Sequence, residues 1–407
     1  MKFMKKFYPY FLFLGLMLPA SGCDSWVKNV EQPIDAINDE VLNDESQIPF
    51  LITGVETRFA TVHDQLTLLN DLLSDAFFYD QNVPNATFPQ YAEVDSRNIL
   101  LNNTSNAAAY TTLGQLPKYA DLLVERVGKI GAFKDAALKS QALYKGNLYS
   151  GIGIYFYGMY YGWTEKQGGS PIFGGEFLTS TQLLDRALSK LDAALQNAIF
   201  DYDKRVVNTF KARIYLLKGD NAKAYEAAKL GLLKGDPDVA SKHSAESEND
   251  WYAAAGRGRT QFVANARFAA YIAADAKEAN RVLLENIVGL DGRTIYKRQA
   301  EYPDRSSSIP FLTWQENELM LAELEMTSNP VSAIAHVNTV RNAYTLAPLN
   351  TVDLATILTE RDKTFFAQGM RMIDQRRFGQ VHTSAGTWEY LPVPQTERDA
   401  NPNLKAK

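Results

Sequence analysis

The sequence predicts a mainly α-helical protein. Antiparallel helix pairs form the scaffold, long loop-rich insertions interrupt it, and strands are few and short. Three observations carry that expectation. Ala212, Tyr215, Ala224 and Gly231 place small and aromatic residues at helix-pair spacing. Leu184, Leu188, Leu191 and Leu195 line one helix face directly after Thr179-Ser-Thr-Gln182. The stretches between such segments are long, polar and rich in Pro, Gly and Asn, the residues of irregular backbone. With 46% apolar and 22% charged residues among 407, the chain has the composition of a folded globular protein.

Residues 1–22 read as an export signal. Lys2, Lys5 and Lys6 precede the apolar run Phe11–Leu18, and the small residues Ala20, Ser21 and Gly22 lead into Cys23. The apolar run falls short of the ~20 residues that span a bilayer. Small residues ending on a cysteine resemble the lipobox of bacterial lipoproteins, with Ala20 where Leu is usual. In that pattern Cys23 is acylated and becomes the first residue of the mature chain. The alternative is a plain signal peptide with an incidental cysteine. Cys23 is the only cysteine, so an intramolecular disulfide is excluded. An acidic stretch follows to about Gln47 and reads as a tether (23–47) to a single body over 48–407.

Within the body, Thr179 to Gln182 fits a capping box opening a helix to about residue 198. The unit 205–235 has its turn at Gly219-Asp220 and its end at Pro237, which is tetratricopeptide spacing: small residues let two helices approach and the aromatic fills the gap. A second pair spans 313–346, with Ala322, Ala333, Val337 and Val340, and a third ends in the aromatic-rich helix 138–163. Irregular segments are expected at 80–106, 164–178, 236–262 and 290–310. Long polar loops of this kind usually carry function or move.

The charge balance and motifs exclude several functions. A net charge of −5 does not suit a phosphate backbone, so no nucleic acid is expected. His63, His243, His336 and His382 show no metal-ligand spacing, and neither a metal nor a cofactor is expected. No nucleophile elbow or phosphate loop occurs, and no carboxylate pair stands out for glycosidase work, so the chain does not read as an enzyme.

Several C-terminal motifs stand in order. They are Trp314-Gln-Glu-Asn-Glu-Leu-Met-Leu-Ala-Glu323, the helix ending Asn338-Thr-Val-Arg341, Glu360-Arg361, Gln368-Gly-Met-Arg-Met-Ile-Asp-Gln-Arg-Arg-Phe-Gly379, and Pro392-Val-Pro394 running to Asn401-Pro-Asn-Leu404. This set resembles the RagB/SusD family of Bacteroidota outer-membrane lipoproteins. Gln368 replaces the usual Glu, so the charge pair expected there is missing, and Met370 replaces a common His. The resemblance covers residues 310–404 by motif, and over residues 24–200 it is one of layout only. It implies a lipid-anchored protein at the outer-membrane surface. Such a protein binds an oligomeric nutrient, a glycan or in some cases a peptide, and passes it to a SusC-like TonB-dependent transporter.

Sugar capture requires flat aromatic faces with Asn, Asp and Arg at the rim. Three places meet this: Tyr79 and Asp80 through Asn82, Asn85 and Phe88 to Tyr91; Trp251 and Tyr252 with Asn249, Arg257 and Arg259; and Trp163 beside the Gly-rich loop. The competing reading for each is core packing, which is preferred for Tyr155, Phe156, Tyr157, Tyr160 and Tyr161 at helical spacing. Arg371, Asp374 and Arg377, three residues apart, read as a structural cluster of opposite charges on one helix face, or alternatively as part of a ligand site. A second function remains open: a tetratricopeptide-type scaffold lipoprotein that contacts proteins and has no small ligand. Binding measured against a panel of polysaccharides, peptides and host glycans would separate the two, and a neighbouring gene for a SusC-like transporter would identify the system.

Overall fold

The spine of the molecule is a 26-residue helix, α1 (Ile48–Leu73), whose C-terminal half is buried on all sides. The computed structural model describes residues 39–381 and 387–404. The export signal, Cys23 and His382 lie outside the described residues. Asp39–Asn43 is a single 3-10 turn in an N-terminal unit ending at Asp44, and the elements that follow belong to a second unit beginning at Glu45.

After β1 (Phe77–Phe78) and α2 (Pro89–Ser96), helices α3 (Thr104–Lys129) and α4 (Ala136–Tyr160) pack as a pair against α1. Strands β2 (Tyr161–Gly162), β3 (Gly169–Pro171) and β4 (Phe177–Thr179) lead to α5 (Ser180–Asn197), which lies on α4. The expected capping box forms there. Thr179 Oγ1 accepts the Gln182 N–H at 3.3 Å, and Gln182 Oε1 accepts the Thr179 N–H at 2.9 Å.

The predicted helix pair at 205–235 is α6 (Asp201–Leu217) and α7 (Asn221–Ala228). Asp220 caps α7 by accepting the Lys223 N–H, and Ala212 and Ala224 are fully buried between the helices. The structure also explains Gly231. A Cβ there would lie 2.3 Å from Asn317 Oδ1. Asn317, on a later helix, donates to the carbonyls of Ala228 and Leu232, closing the frayed end of α7.

The segment 236–262, expected to be irregular, contains β5 (Val239–Ser241) and the short α8 (Asp250–Ala255). Then come β6 (Val263–Ala264), α9 (Ala266–Ala274), the hairpin β7 (Leu284–Val288) with β8 (Ile295–Gln299), and β9 (Ile309–Leu312). The middle of the expected 290–310 loop is therefore a strand, because Ile295 and Tyr296 open a stretch that pairs residue for residue with 284–288. The last pair is α10 (Trp314–Glu325) and α11 (Pro330–Ala343), followed by α12 (Leu354–Thr364), α13 (Arg371–Arg377), β10 (Leu391–Pro392) and α14 (Gln395–Ala400). The described residues thus form a mainly α fold, with only two-stranded sheets.

The core is aromatic where α1, α4 and α6 meet. His63 stacks on Phe59 at 5.2 Å and meets Phe311 edge-on at 5.3 Å. Burial and the nearby Arg213 hold its pKa down to about 3, so it packs as a neutral ring. Arg213 forks onto Glu316 at 2.6 and 2.5 Å and lies over the Phe311 ring, fastening α6 to α10.

The charged C-terminal motifs form further joints of this kind, and they correct one expectation. Arg371, Asp374 and Arg377 do not pair along their own helix. Asp374 takes a two-bond fork from Arg361 on α12, Arg371 forks onto Asp75 past the end of α1, and Arg377 pairs with Glu323 on α10. Spacing of three along a helix makes such contacts possible, but longer reaches to three other elements win because each guanidinium is drawn inward against a carboxylate there. Gln368, on the turn before α13, donates to the Thr364 carbonyl.

Candidate ligand-binding site

Antiparallel pairing of β1 with β6 sets Phe77 opposite Ala264 and Phe78 opposite Val263. That register draws the loop after β1 against the loop before β6. Buried Gln261 fixes the junction, its Oε1 accepting the backbone N–H groups of Thr87 and Phe88 at 2.9 and 3.1 Å. Arg259 then donates to Thr87 Oγ1 at 2.9 Å and spreads over the Phe88 ring, 4.6 Å from its centroid. Phe88 is 40% exposed, and the Arg259 guanidinium over its ring carries further N–H donors besides the one on Thr87.

The neighbouring groups are fixed in turn. Tyr79 donates its hydroxyl to the Ala86 carbonyl at 2.8 Å, which turns the ring across the loop. Tyr91 meets Phe262 edge-on at 5.3 Å and Phe88 at 6.0 Å. Asp80 accepts the Tyr296 hydroxyl at 2.7 Å and the Asn82 N–H at 2.8 Å. Asn82 donates to Tyr296 and accepts the Asp291 N–H, which ties the β7–β8 hairpin to the loop. Arg257 and Arg298 bracket Glu285, and these bonds hold its carboxyl down to about 2. Asp95, which accepts the Tyr79 N–H, is pushed up to about 6 by burial. Asp80 thus has one bond on each carboxylate oxygen.

The two stretches therefore meet through Arg259 on Thr87 and Phe88, Gln261 on the same loop, and Tyr91 against Phe262. Two other expected residues are placed differently. Trp251 is fully buried, its Nε1 donating to Thr67 Oγ1 at 3.0 Å and its ring packed on Phe77, Phe262 and Tyr302. The expectation of an exposed Trp251 in a polar loop is thus overturned. The segment is a helix, α8, capped by Asn249, and the turn of ~100° per residue sends Trp251 down onto α1 while Tyr252 stays half-buried beside Gly258. Trp163 lies at the C-terminal tail. Arg398 covers one face of its indole at 3.9 Å and donates to its carbonyl, and Phe177 lies 5.9 Å away.

Sequence reasoning missed Gln261 and Tyr296. Nothing local marks Gln261, whose role comes from reaching a loop more than 170 residues earlier. Nothing in the local pattern of β8, Ile-Tyr-Lys-Arg-Gln, marks Tyr296 either.

The sequence matches no protein-family profile and none of the curated proteins. Solved structures do match. A SusD superfamily protein from Bacteroides thetaiotaomicron superposes with a TM-score of 0.70 at 15% identity, covering 88% of this chain and 98% of its own. A laminarin-binding SusD-like protein gives a TM-score of 0.70 at 13% identity, covering 87% and 97%. A protein crystallised with xylogluco-oligosaccharide gives 0.71 at 11%, covering 88% and 98%. At these identities the likeness concerns the fold: the chain has the SusD-like architecture over nearly all of the described body.

Proposed function

We propose that this protein is a cell-surface lipoprotein of the outer membrane, anchored through Cys23. It binds an oligomeric nutrient, a glycan, on the face formed by residues 79–91 and 252–259, and delivers it to a SusC-like TonB-dependent transporter. One observation carries the reading. Two segments that each combine aromatics with amide, carboxylate or guanidinium groups meet on one surface, with Arg259 on Thr87 and over Phe88, in a fold shared with a laminarin-binding protein.

The face suits a sugar chain on physical grounds. The Phe88 ring offers a flat surface to pyranose C–H groups, while Arg259 and the Asp80–Asn82 rim meet hydroxyls as donor and acceptor. The groups are pre-set by bonds within the protein, so little is lost in ordering them on binding. The function is capture and presentation without chemical change, and neither a metal nor a cofactor enters it.

Calorimetric titration of the full chain with laminarin, xyloglucan oligosaccharides and mixed peptides tests the binding arm. Affinity purification from outer membranes tests the transporter arm. Retention of a TonB-dependent barrel with no affinity for any oligomer would favour a protein-contact scaffold instead.

A further inference from the structure

A cavity of about 460 Å³ opens between the first half of α1, the first half of α4, the start of α6 and β5. It lies at the opposite end of α1 from the face described above, roughly 20 Å away at 1.5 Å per residue. Its floor is Tyr144 and Tyr149, both buried, with Tyr149 braced against Phe59 at 5.1 Å. Tyr202 forms a wall, fixed by donating its hydroxyl to the Pro237 carbonyl at 3.0 Å. Lys145 is held 2.9 Å from Glu56 and lies 5.9 and 5.7 Å from the centroids of the two floor rings. Asp203, half-buried beside Tyr144, and Asp238 and Lys242 on the side of β5 complete the charged lining.

We infer that this cavity is a second binding site, for a small neutral polyhydroxylated ligand of one or two sugar units. Its volume falls in the range of small-molecule sites. The lining offers what neighbouring hydroxyls require: the ammonium donors of Lys145 and Lys242, the carboxylate acceptors of Glu56, Asp203 and Asp238, and an aromatic wall for the C–H face. A cationic ligand fits less well, because Lys145 already occupies the electronegative side of both floor rings. An apolar ligand would strip water from Lys145 and Asp203 without replacing its hydrogen bonds. Burial already raises the Asp203 carboxyl above its ordinary value, although Lys145 and Tyr144 pull the other way. The site shares no residue with the proposed glycan face and stands without it.

The test is titration of the full chain with glucose, cellobiose and laminaribiose, and with putrescine as the cationic comparison. At least one sugar is expected to bind saturably. Asp203→Asn and Tyr202→Ala should each weaken it by roughly tenfold, the value of one hydrogen bond to a charged group or one stacking face. The double variant Phe88→Ala with Arg259→Ala should leave it unchanged. Asp203→Asn keeps shape and size, so it remains informative if Tyr202→Ala folds poorly. The inference is overturned if no sugar binds, if affinity survives both cavity variants, or if putrescine binds more tightly than the sugars. Loss of small-sugar binding in the face variant alone would remove the second site and keep the proposed function. Loss of laminarin binding in that variant with small-sugar binding intact would uphold both.

Discussion

Arg361 and Asp374 face each other across the joint between α12 and α13, joined by parallel bonds of 2.8 and 2.9 Å, with 3% and 9% of their side chains exposed. Removing the carboxylate leaves a buried guanidinium without its partner, at a cost of about 3–5 kcal/mol. Asp374→Ala should therefore melt well below the wild type and bind ligand almost normally in whatever fraction stays folded. An unchanged melt with lost binding would move this cluster from scaffold to ligand site.

Phe88 and Arg259 carry the proposed glycan contact on an exposed surface. Phe88→Ala and Arg259→Ala should each weaken oligosaccharide binding, about tenfold for loss of a stacking face or a charge-assisted bond. Melting should shift little, since surface substitutions typically change stability by less than about 0.5 kcal/mol. Wild-type affinity in both variants would place the ligand elsewhere.

Trp251 and Tyr252 are adjacent in sequence and opposite in consequence. Trp251→Ala removes a filled position under α1 and should cost about 3–5 kcal/mol, seen as a lowered denaturation midpoint. Tyr252→Ala should leave that midpoint nearly in place. Equal losses from the two would contradict the burial difference between them.

Asp71 provides a pH-dependent stability term. Its carboxyl accepts the Gly369 N–H at 2.9 Å, and burial pushes its pKa up to about 8 against the pull of that bond. The folded protein thus keeps a proton that an unfolded chain releases near pH 4, so folding takes up a proton between those values. The contribution is complete below about pH 4 and is lost as pH rises through about 8, by up to ~1.4 kcal/mol per pH unit. Asp71→Asn should flatten urea-denaturation stability between pH 5 and 8 relative to the wild type. Parallel curves for the two proteins would refute the assignment.

Cys23 is the proposed anchor. Cys23→Ala should shift the exported chain from the membrane fraction to the soluble one with an unchanged melt, since one lipid-modified residue is the sole attachment proposed. Continued membrane recovery in the absence of a partner barrel would refute it.

The helix pairs were legible because their signals are local. The Thr179–Gln182 box, the small residues Ala212 and Ala224, and the Gly219-Asp220 turn each report on neighbours within one or two turns. The joints were not legible in the same way. That Arg371 would meet Asp75 and not Asp374 depends on where α1 ends, some 300 residues earlier. Trp251 looked exposed because its neighbours are polar, and only the placement of α8 over Thr67 shows where its ring goes. The candidate face was half legible: composition marked both stretches of chain, but the β1–β6 register that joins them is a property of the folded molecule.

Asn70 and Asp71 on α1 bond directly to Gly369, at sequence separations of 299 and 298. A ribosome therefore finishes nine-tenths of this chain before these two polar side chains of its first long helix meet their Gly369 partner. Contacts so far apart fold slowly, and the surface waiting for them is prone to aggregate meanwhile. In the proposed export route, with the chain threaded through a membrane N-terminus first, that interval falls during passage to the outer membrane.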